Sequence, residues 1–382
     1  NAAMFSLADA TALRPPDVPR PGELIRVFTS SRDIPFGEVS YPDFLDVRAR
    51  IKTLSGLVAY ETGDFALASD QREPARYLGG WLVTANFFSV LGIEPELGRG
   101  FLPQEDDEAS STVAVISHRV WERDFQSAPD VIGRRVLLSG SPFTIVGVTP
   151  RRFGGTELYF HPDVFIPLSA IRRVYPPAPA DPLNDRNERM LTVLGRLPSS
   201  ISIAQATSEL EIIATDLERS HRESNRGRAM AIYPEIDARA KLDSGGATGA
   251  TVILLLVALV LLLACANVAN LVLARSSARR RDVALRTALG ATRARLVRQS
   301  LIESALLAIA GGAAGVIVTG WVLAYLSRVV IIPSALPLSV DLRLDGRVFA
   351  FTAFSTVLAA ILFGLAPAVK TSASSSVNGM LK

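Results

Sequence analysis

The chain has 382 residues, too many for one ordinary domain, and 49% of them are hydrophobic while 20% are charged. That balance suits segments in lipid joined to segments in water. The net charge of +3 gives no general pull toward nucleic acid, because the basic residues gather in one loop. The single cysteine, Cys265, lies in an apolar run, which excludes an intrachain disulfide and leaves any water-exposed region to be held by its own core.

Asn1 to Leu13 is mildly apolar, contains Asp9 and stops at Arg14-Pro15-Pro16. It is too short to span a bilayer alone and is expected to be the outer end of a helix that starts upstream. No amino-terminal signal peptide is visible. Residues 14–246 read as a mixed α and β domain. Leu24–Phe28 is a predicted strand. Ser40 is expected to cap a helix with Asp43 three positions on, a variant of the capping box, and Phe44, Val47 and Ile51 share one face. Leu57–Leu67 is the next strand. The pattern returns further on: Leu191–Leu197 as a strand, Ser202 with Gln205 as a capping box, Ala206, Leu210, Ile213 and Leu217 along a helix, then Ala229–Tyr233 as a strand. Two β-α-β units at the ends of one domain are expected to pack together, with residues 75–187 as an inserted subdomain. Within it Thr84 is expected to cap a short helix ending at Gly92. Ser117 caps another that carries Val120, Trp121 and Phe125, and Val136–Val148 alternates about Ser139-Gly140-Ser141 as a hairpin. The fold class is therefore α+β followed by an α-helical transmembrane bundle.

The remaining residues, 247–382, carry three uncharged runs: Asp243 to Arg275, Glu303 to Arg328, and Arg347 to Lys370. A bilayer core needs about 20 apolar helical residues, so spans are expected near 248–273, 301–327 and 348–367. Pro367 closes the third where a helix ends at little cost. The loop 274–300 between the first two holds eight arginines against one acid, Asp282. The loop after the second span is balanced in charge, and the tail carries Lys370 and Lys382. The Arg-rich loop and the tail are therefore expected inside, and the large domain outside the cytoplasm.

Catalytic signals are missing. No Gly-x-x-x-x-Gly-Lys-Ser/Thr loop occurs, and His118, His161 and His221 lack metal-ligand spacing. The run Glu105, Asp106, Asp107, Glu108 reads as a solvated loop, with calcium as the alternative. Neither a catalytic residue nor a cofactor is expected. The informative stretch is Asn267 to Glu303. Asn267 and Asn270 share a helix face near the inner end of the first span, where amides seek other helices. Glu303 opens the second span as a paired or pore-facing acid, or as a helix-start charge at the interface. Between them a short helix is predicted over Arg279–Leu289, ended by Gly290 in a left-handed cap. It shows Val283, Leu285 and Leu289 among Arg279, Arg280, Arg281, Asp282 and Arg286. Adhesion to anionic lipid explains the charge, and docking of a protein explains the charge with the apolar residues. Gly311 and Gly315 form a small-xxx-small step for close helix packing, within the chain or between copies.

The runs Ala264-Cys265-Ala266-Asn267-Val268-Ala269-Asn270-Leu271, Arg279 through Thr292, and Gln299-Ser300-Leu301-Ile302-Glu303-Ser304 resemble the core of the FtsX/MacB-like ABC transporter permease family. Val39-Ser40-Tyr41-Pro42-Asp43-Phe44, Asn86-Phe87-Phe88, Leu91-Gly92, Leu97-Gly98-Arg99 and Ile145-Val146-Gly147-Val148 resemble its periplasmic core domain. Asp282 stands where the family more often has glutamate, and the charge survives. Among the branches of the family, the chain is similar to the duplicated, acidobacterial-type permeases. The resemblance implies a permease subunit of an exporter or mechanotransmission complex in the bacterial inner membrane. Arg279–Leu289 would rest on a partner ABC ATPase, and a second permease unit would pair with it, as a second copy or as the other half of a duplicated chain. A periplasmic adaptor or envelope protein is a further partner. The competing expectation is a regulatory or sensory membrane protein that controls an envelope enzyme or senses peptides without transport.

Overall fold

The computed structural model describes residues 15–68, 75–110, 112–157, 160–175 and 181–242, with separate helical positions between 251 and 354, of which 309–321 is the longest run. The chain divides into two units, and residues 15–242 lie in one of them. Its strands are β1 (Leu24–Ser30), β2 (Val39–Ser40), β3 (Gly56–Ala68), β4 (Arg76–Val83), β5 (Leu97–Gly98), β6 (Val113–Ile116), β7 (Arg135–Leu138), β8 (Ser141–Val148), β9 (Val164–Pro167), β10 (Arg189–Arg196) and β11 (Ala229–Pro234). The longer helices are α1 (Tyr41–Arg50), α2 (Phe87–Leu91), α3 (His118–Phe125), α4 (Ile203–Ser220) and α5 (Glu235–Leu242).

Serine caps start three of the helices. The Ser40 hydroxyl accepts from the Asp43 N–H at 3.4 Å, and Ser117 accepts from Val120 at 3.2 Å. At α4 the box is reciprocal: Ser202 accepts from the Gln205 N–H at 3.3 Å while the Gln205 side chain takes the Ser202 N–H at 2.9 Å. Two expectations need correction. The Asp43 side chain does not close the box on the Ser40 N–H, although the Ser40 hydroxyl bonds to it. It is fully buried and holds Arg186 at 2.7 Å, Arg189 at 2.9 Å and the Asn225 amide at 3.0 Å. Thr84 does not cap α2. Its hydroxyl and N–H both bond the backbone of Ala59, so it still belongs to the sheet, and Asn86 is the cap residue. Gly92 ends α2 in the left-handed conformation at φ 71°.

Four strands lie in the order β11-β1-β10-β3, each pair antiparallel. The unit β1-α1-β3 thus interleaves with β10-α4-β11, the split β-α-β arrangement. Side chains alternate across this sheet. Ile25, Val27, Leu57, Ala59, Leu191 and Val193 join Phe44 and Val47 of α1 and Leu210, Ile213 and Leu217 of α4 in one buried cluster. Their alternates Leu24, Val58, Tyr60 and Leu194 join a second cluster with Trp81, Phe87, Phe88 and Phe165. Each such side chain contributes roughly 1.5–3 kcal/mol on burial.

Strand β3 is long because it serves two structures. Its first residues, Gly56–Tyr60, pair with β10, and Tyr60–Leu67 pair with β4. Beyond β4 the pairings run to β9, β6 and β8, then through β7 back to Leu67 and Ala68 of β3. These six strands close on themselves, which leaves no open edge among them. The β7–β8 hairpin turns on Ser139 and Gly140, both at positive φ (50° and 82°), as a two-residue loop demands. Gly98 of β5 faces Gly147 of β8, and an added Cβ on either would meet a backbone carbonyl oxygen at 2.2 Å. Glycine is required there by the closeness of the two backbones.

Candidate functional site

The last strand, β11, ends at Pro234, and α5 begins at the next residue. Acids Glu235 and Asp237 open this helix and Arg239 and Lys241 close it, matching the helix dipole. Ala238 is fully buried, so one face of α5 is packed. Glu235 is 2% exposed and accepts from Arg239 Nε at 3.1 Å, one turn along the helix. Arg239 also donates to the carbonyl of Thr156, in the segment between β8 and β9. At the end of α5 the Lys241 ammonium lies 4.3 Å from the Tyr233 ring centroid and 5.7 Å from that of Phe36. Phe28, Phe36 and Tyr233 pack edgewise or tilted on one another at 5.4–6.1 Å.

A polar network continues from this helix into the sheet. Arg26, in the middle of β1, donates to Thr192 Oγ1 of β10 at 2.9 Å and has Glu157 at 3.6 Å. The Tyr60 hydroxyl of β3 donates to the same Glu157 carboxylate, and Thr156 donates to the Tyr60 oxygen at 3.4 Å. Burial opposes the charge on Arg26, but Tyr60 and the acids Glu157, Glu235 and Glu38 outweigh it and raise its pKa. Burial raises Glu235, against the pull of Arg26 and Arg239, and one of its oxygens, Oε2, has no hydrogen-bond partner. Burial also lifts Tyr60 well above the usual phenol range, with Glu157 adding to it. Two half-buried acids respond similarly. Glu38 is raised by burial, and Glu61 is pushed up to about 8 by burial and by Glu38.

The network runs from α5, through the bond of Arg239 to the Thr156 carbonyl, to the β8–β9 segment, and from there through Glu157 to Arg26 of β1 and Tyr60 of β3. Withdrawing α5 would break the Arg239–Thr156 bond and take Glu235 out of the field of Arg26. The arrangement contains no nucleophile with an adjacent base. Its chemistry is that of a mechanical clamp. Sequence reading missed it because the participants come from five separate stretches. Two signals were present: a lone arginine inside the apolar strand Leu24–Phe28, and the i,i+4 pair Glu235/Arg239.

The other residues singled out in the sequence are placed as follows. The predicted helix Arg279–Leu289 with Gly290, and also Asn270 and Glu303, lie outside the described residues. Asn267 is helical and exposed. Gly311 and Gly315 lie on the helix 309–321 with open space around them. Among the described residues no helix is long and apolar enough to cross a membrane, and most of the three predicted spans lies outside those residues. In the acidic run, Glu105 is buried, grips Arg99 at 2.8 Å and accepts from the Leu102 N–H at 2.7 Å. Asp106 accepts from the Ala85 N–H at 2.6 Å. His118 lies between Glu96 at 2.8 Å and Glu122 at 3.2 Å. No group of side chains among the described residues is arranged to hold a metal ion.

Residues 1–213 match the family model of the MacB-like periplasmic core domain, and residues 254–376 match that of the FtsX-like permease C-terminal region. The pyoverdine export ATP-binding/permease protein PvdT of Pseudomonas savastanoi pv. phaseolicola is 26% identical over 77% of this chain and 41% of its own length. The macrolide export ATP-binding/permease protein MacB of Nitrosomonas europaea is 30% identical over 58% of this chain and 31% of its own length. The chain thus spans about two fifths, or less, of these curated relatives. Among solved structures, the periplasmic region of MacB from Actinobacillus actinomycetemcomitans aligns with 58% of this chain and 92% of its own at 13% identity and a TM-score of 0.40. The extracellular domain of the ABC-type transporter YknZ from Gram-positive bacteria aligns with 55% and 99%, also at 13% and 0.40.

Proposed function

The chain belongs to the family of the MacB-like periplasmic core domain, continued by an FtsX-like permease region, and on that premise we propose that it is a permease subunit which passes ATP-driven motion from the membrane to its outer domain. The support is the order of the two matched regions, with α5 in the stretch between them. In this reading residues 14–246 face the periplasm, the three spans lie in the inner membrane, and the arginine-rich loop faces the cytoplasm. Arg279–Leu289 docks an ABC ATPase, and ATP hydrolysis occurs on that partner domain or subunit. A second permease unit, a copy or the other half of a duplicated chain, completes the complex. Asn267, Asn270 and Glu303 contact neighbouring helices, and Gly311 with Gly315 lets two helices approach. Arg239 of α5 holds the β8–β9 segment through the Thr156 carbonyl, and this bond would carry motion of the helix into the outer domain.

Two of the relatives are named for pyoverdine and macrolide export. The test is affinity purification of the full-length chain from its own membranes. An ABC ATPase should copurify, and ATP turnover should be absent when it is stripped away. Turnover that persists in the stripped chain, or a complex that never contains an ATPase, contradicts the proposal; the second result, with an envelope hydrolase or sensor kinase bound, favours the regulatory reading.

A further inference from the structure

Where β1 ends and β10 begins, the described residues line an open cavity of about 510 Å³, a volume typical of small-molecule sites. Its walls combine Phe28, Phe36, Ile34 and Leu242 with arginines and acids. The charges on those walls do not balance locally. Arg26 is answered by Glu157 at 3.6 Å and lies in the field of Glu38 and Glu235. Arg189 spends one terminal nitrogen on Asp43 at 2.9 Å and the other on Asn225 at 2.6 Å, while its Nε–H is buried with no acceptor. Arg228 bonds only through Nε, to the Ser224 carbonyl at 3.1 Å, and among the described residues it forms no ion pair. Glu188, also on the wall, is exposed and likewise forms none, so it does not neutralise Arg228. Burial lowers the Arg189 pKa, Asp43 opposes that, and the nearby Arg228 lowers it further. The guanidinium of Arg228 and the Nε–H of Arg189 therefore stand without an acid partner among the described residues, beside an aromatic and aliphatic wall.

We propose that this cavity binds a small monocarboxylate with an aromatic or aliphatic body, its carboxylate meeting Arg228 and the Nε–H of Arg189 and its body lying against Phe36, Ile34 and Leu242. A planar carboxylate suits the fork of a guanidinium. A dianion is disfavoured, because Glu38 and Glu188 share the same wall and would repel the second charge. The apolar side chains answer the rest of the molecule: Ile34 is 54% exposed and Leu242 is 41% exposed without a ligand. Leu242 is the last residue of α5, so a bound molecule touches the end of the clamp. The site rests on the cavity and its charges alone and stands whether or not the chain couples to an ATPase.

The test is calorimetric titration of the full chain in detergent with 4-phenylbutyrate, beside its neutral amide and 4-phenylbutylamine as controls for partition into the micelle. The acid should bind saturably with a Kd below about 1 mM, and Arg228→Gln should weaken it by about tenfold, the loss expected of a charged hydrogen bond. Arg228 has no ion pair to break among the described residues, so the variant should melt like the parent, and Phe36→Ala should weaken binding independently. The proposal is overturned by no saturable binding of the acid, by an amide or amine that binds as well, or by an Arg228→Gln protein that keeps the parental affinity.

Discussion

Asp43 shows how one buried charge can hold distant parts of a chain. It begins α1, yet its partners Arg186, Arg189 and Asn225 come from the start of β10 and from the turn before β11. Burial raises its pKa, but the bonds from Asn225, Arg189, Arg186 and Ser40 outweigh that and hold it below the usual aspartate value. A carboxylate with a lowered folded pKa adds stability above its unfolded value and loses it as pH falls through the folded one. Asp43→Asn should therefore cost roughly 3–5 kcal/mol at neutral pH, because the buried Arg189 loses its counter-charge and Arg186 keeps only Asp46. Urea melts at pH 7 and pH 3 should show that cost shrinking at the lower pH. Glu61 has the opposite sign. Its carboxyl is pushed up to about 8, so the proton it keeps contributes stability below the ordinary glutamate value, and this is lost as pH rises from there through 8. Glu61→Gln should melt at a higher temperature than the parent at pH 8.5 and flatten the loss of stability between pH 5 and 8. A variant whose pH profile copies the parent's would show that Glu61 titrates normally.

Individual elements were legible wherever local chemistry decides them. Ser40, Ser117 and Ser202 start helices, Gly92 ends one, and Ser139-Gly140 turns the hairpin, because caps and positive-φ turns need particular residue types. Thr84 misled because a threonine before an apolar run looks the same in a sheet ladder as at a helix start. The closed ring of six strands was not legible, since β3 changes partners along its length and pairing between distant strands leaves no local mark. The polar clamp at α5 was hidden for the same reason. The motif glycines acquire a cause only from the structure: Gly98 and Gly147 face each other with carbonyls where side chains would be. Gly147→Ala should accordingly destabilise the folded domain by about 1–3 kcal/mol, the usual cost of forcing atoms into a filled space. Thermal melts should place it well below the parent, and an unchanged melting temperature would mean that β5 can move aside.

At the scale of the whole molecule, two matched regions lie in one chain, residues 1–213 and 254–376, and α5 lies in the stretch between them. Composition separated them early, because uncharged runs and an arginine-rich loop are lipid signals that no soluble fold requires. The clamp joins α5 to the β8–β9 segment through Arg239 and Thr156, and that segment joins β1 and β3 through Glu157. The other end of the proposed lever is Arg279–Leu289. A central apolar anchor at a protein interface contributes roughly 2–4 kcal/mol, and a rim charge far less. Lipid adhesion would reverse that ranking, because charge would dominate. The decisive measurement is ATPase stimulation by the reconstituted full-length chain carrying either Leu285→Asp or Arg280→Ala. Coupling through this segment should appear as stimulation abolished by Leu285→Asp and only mildly weakened by Arg280→Ala, with both variants inserted normally in the membrane. Parental stimulation from Leu285→Asp would contradict the coupling role.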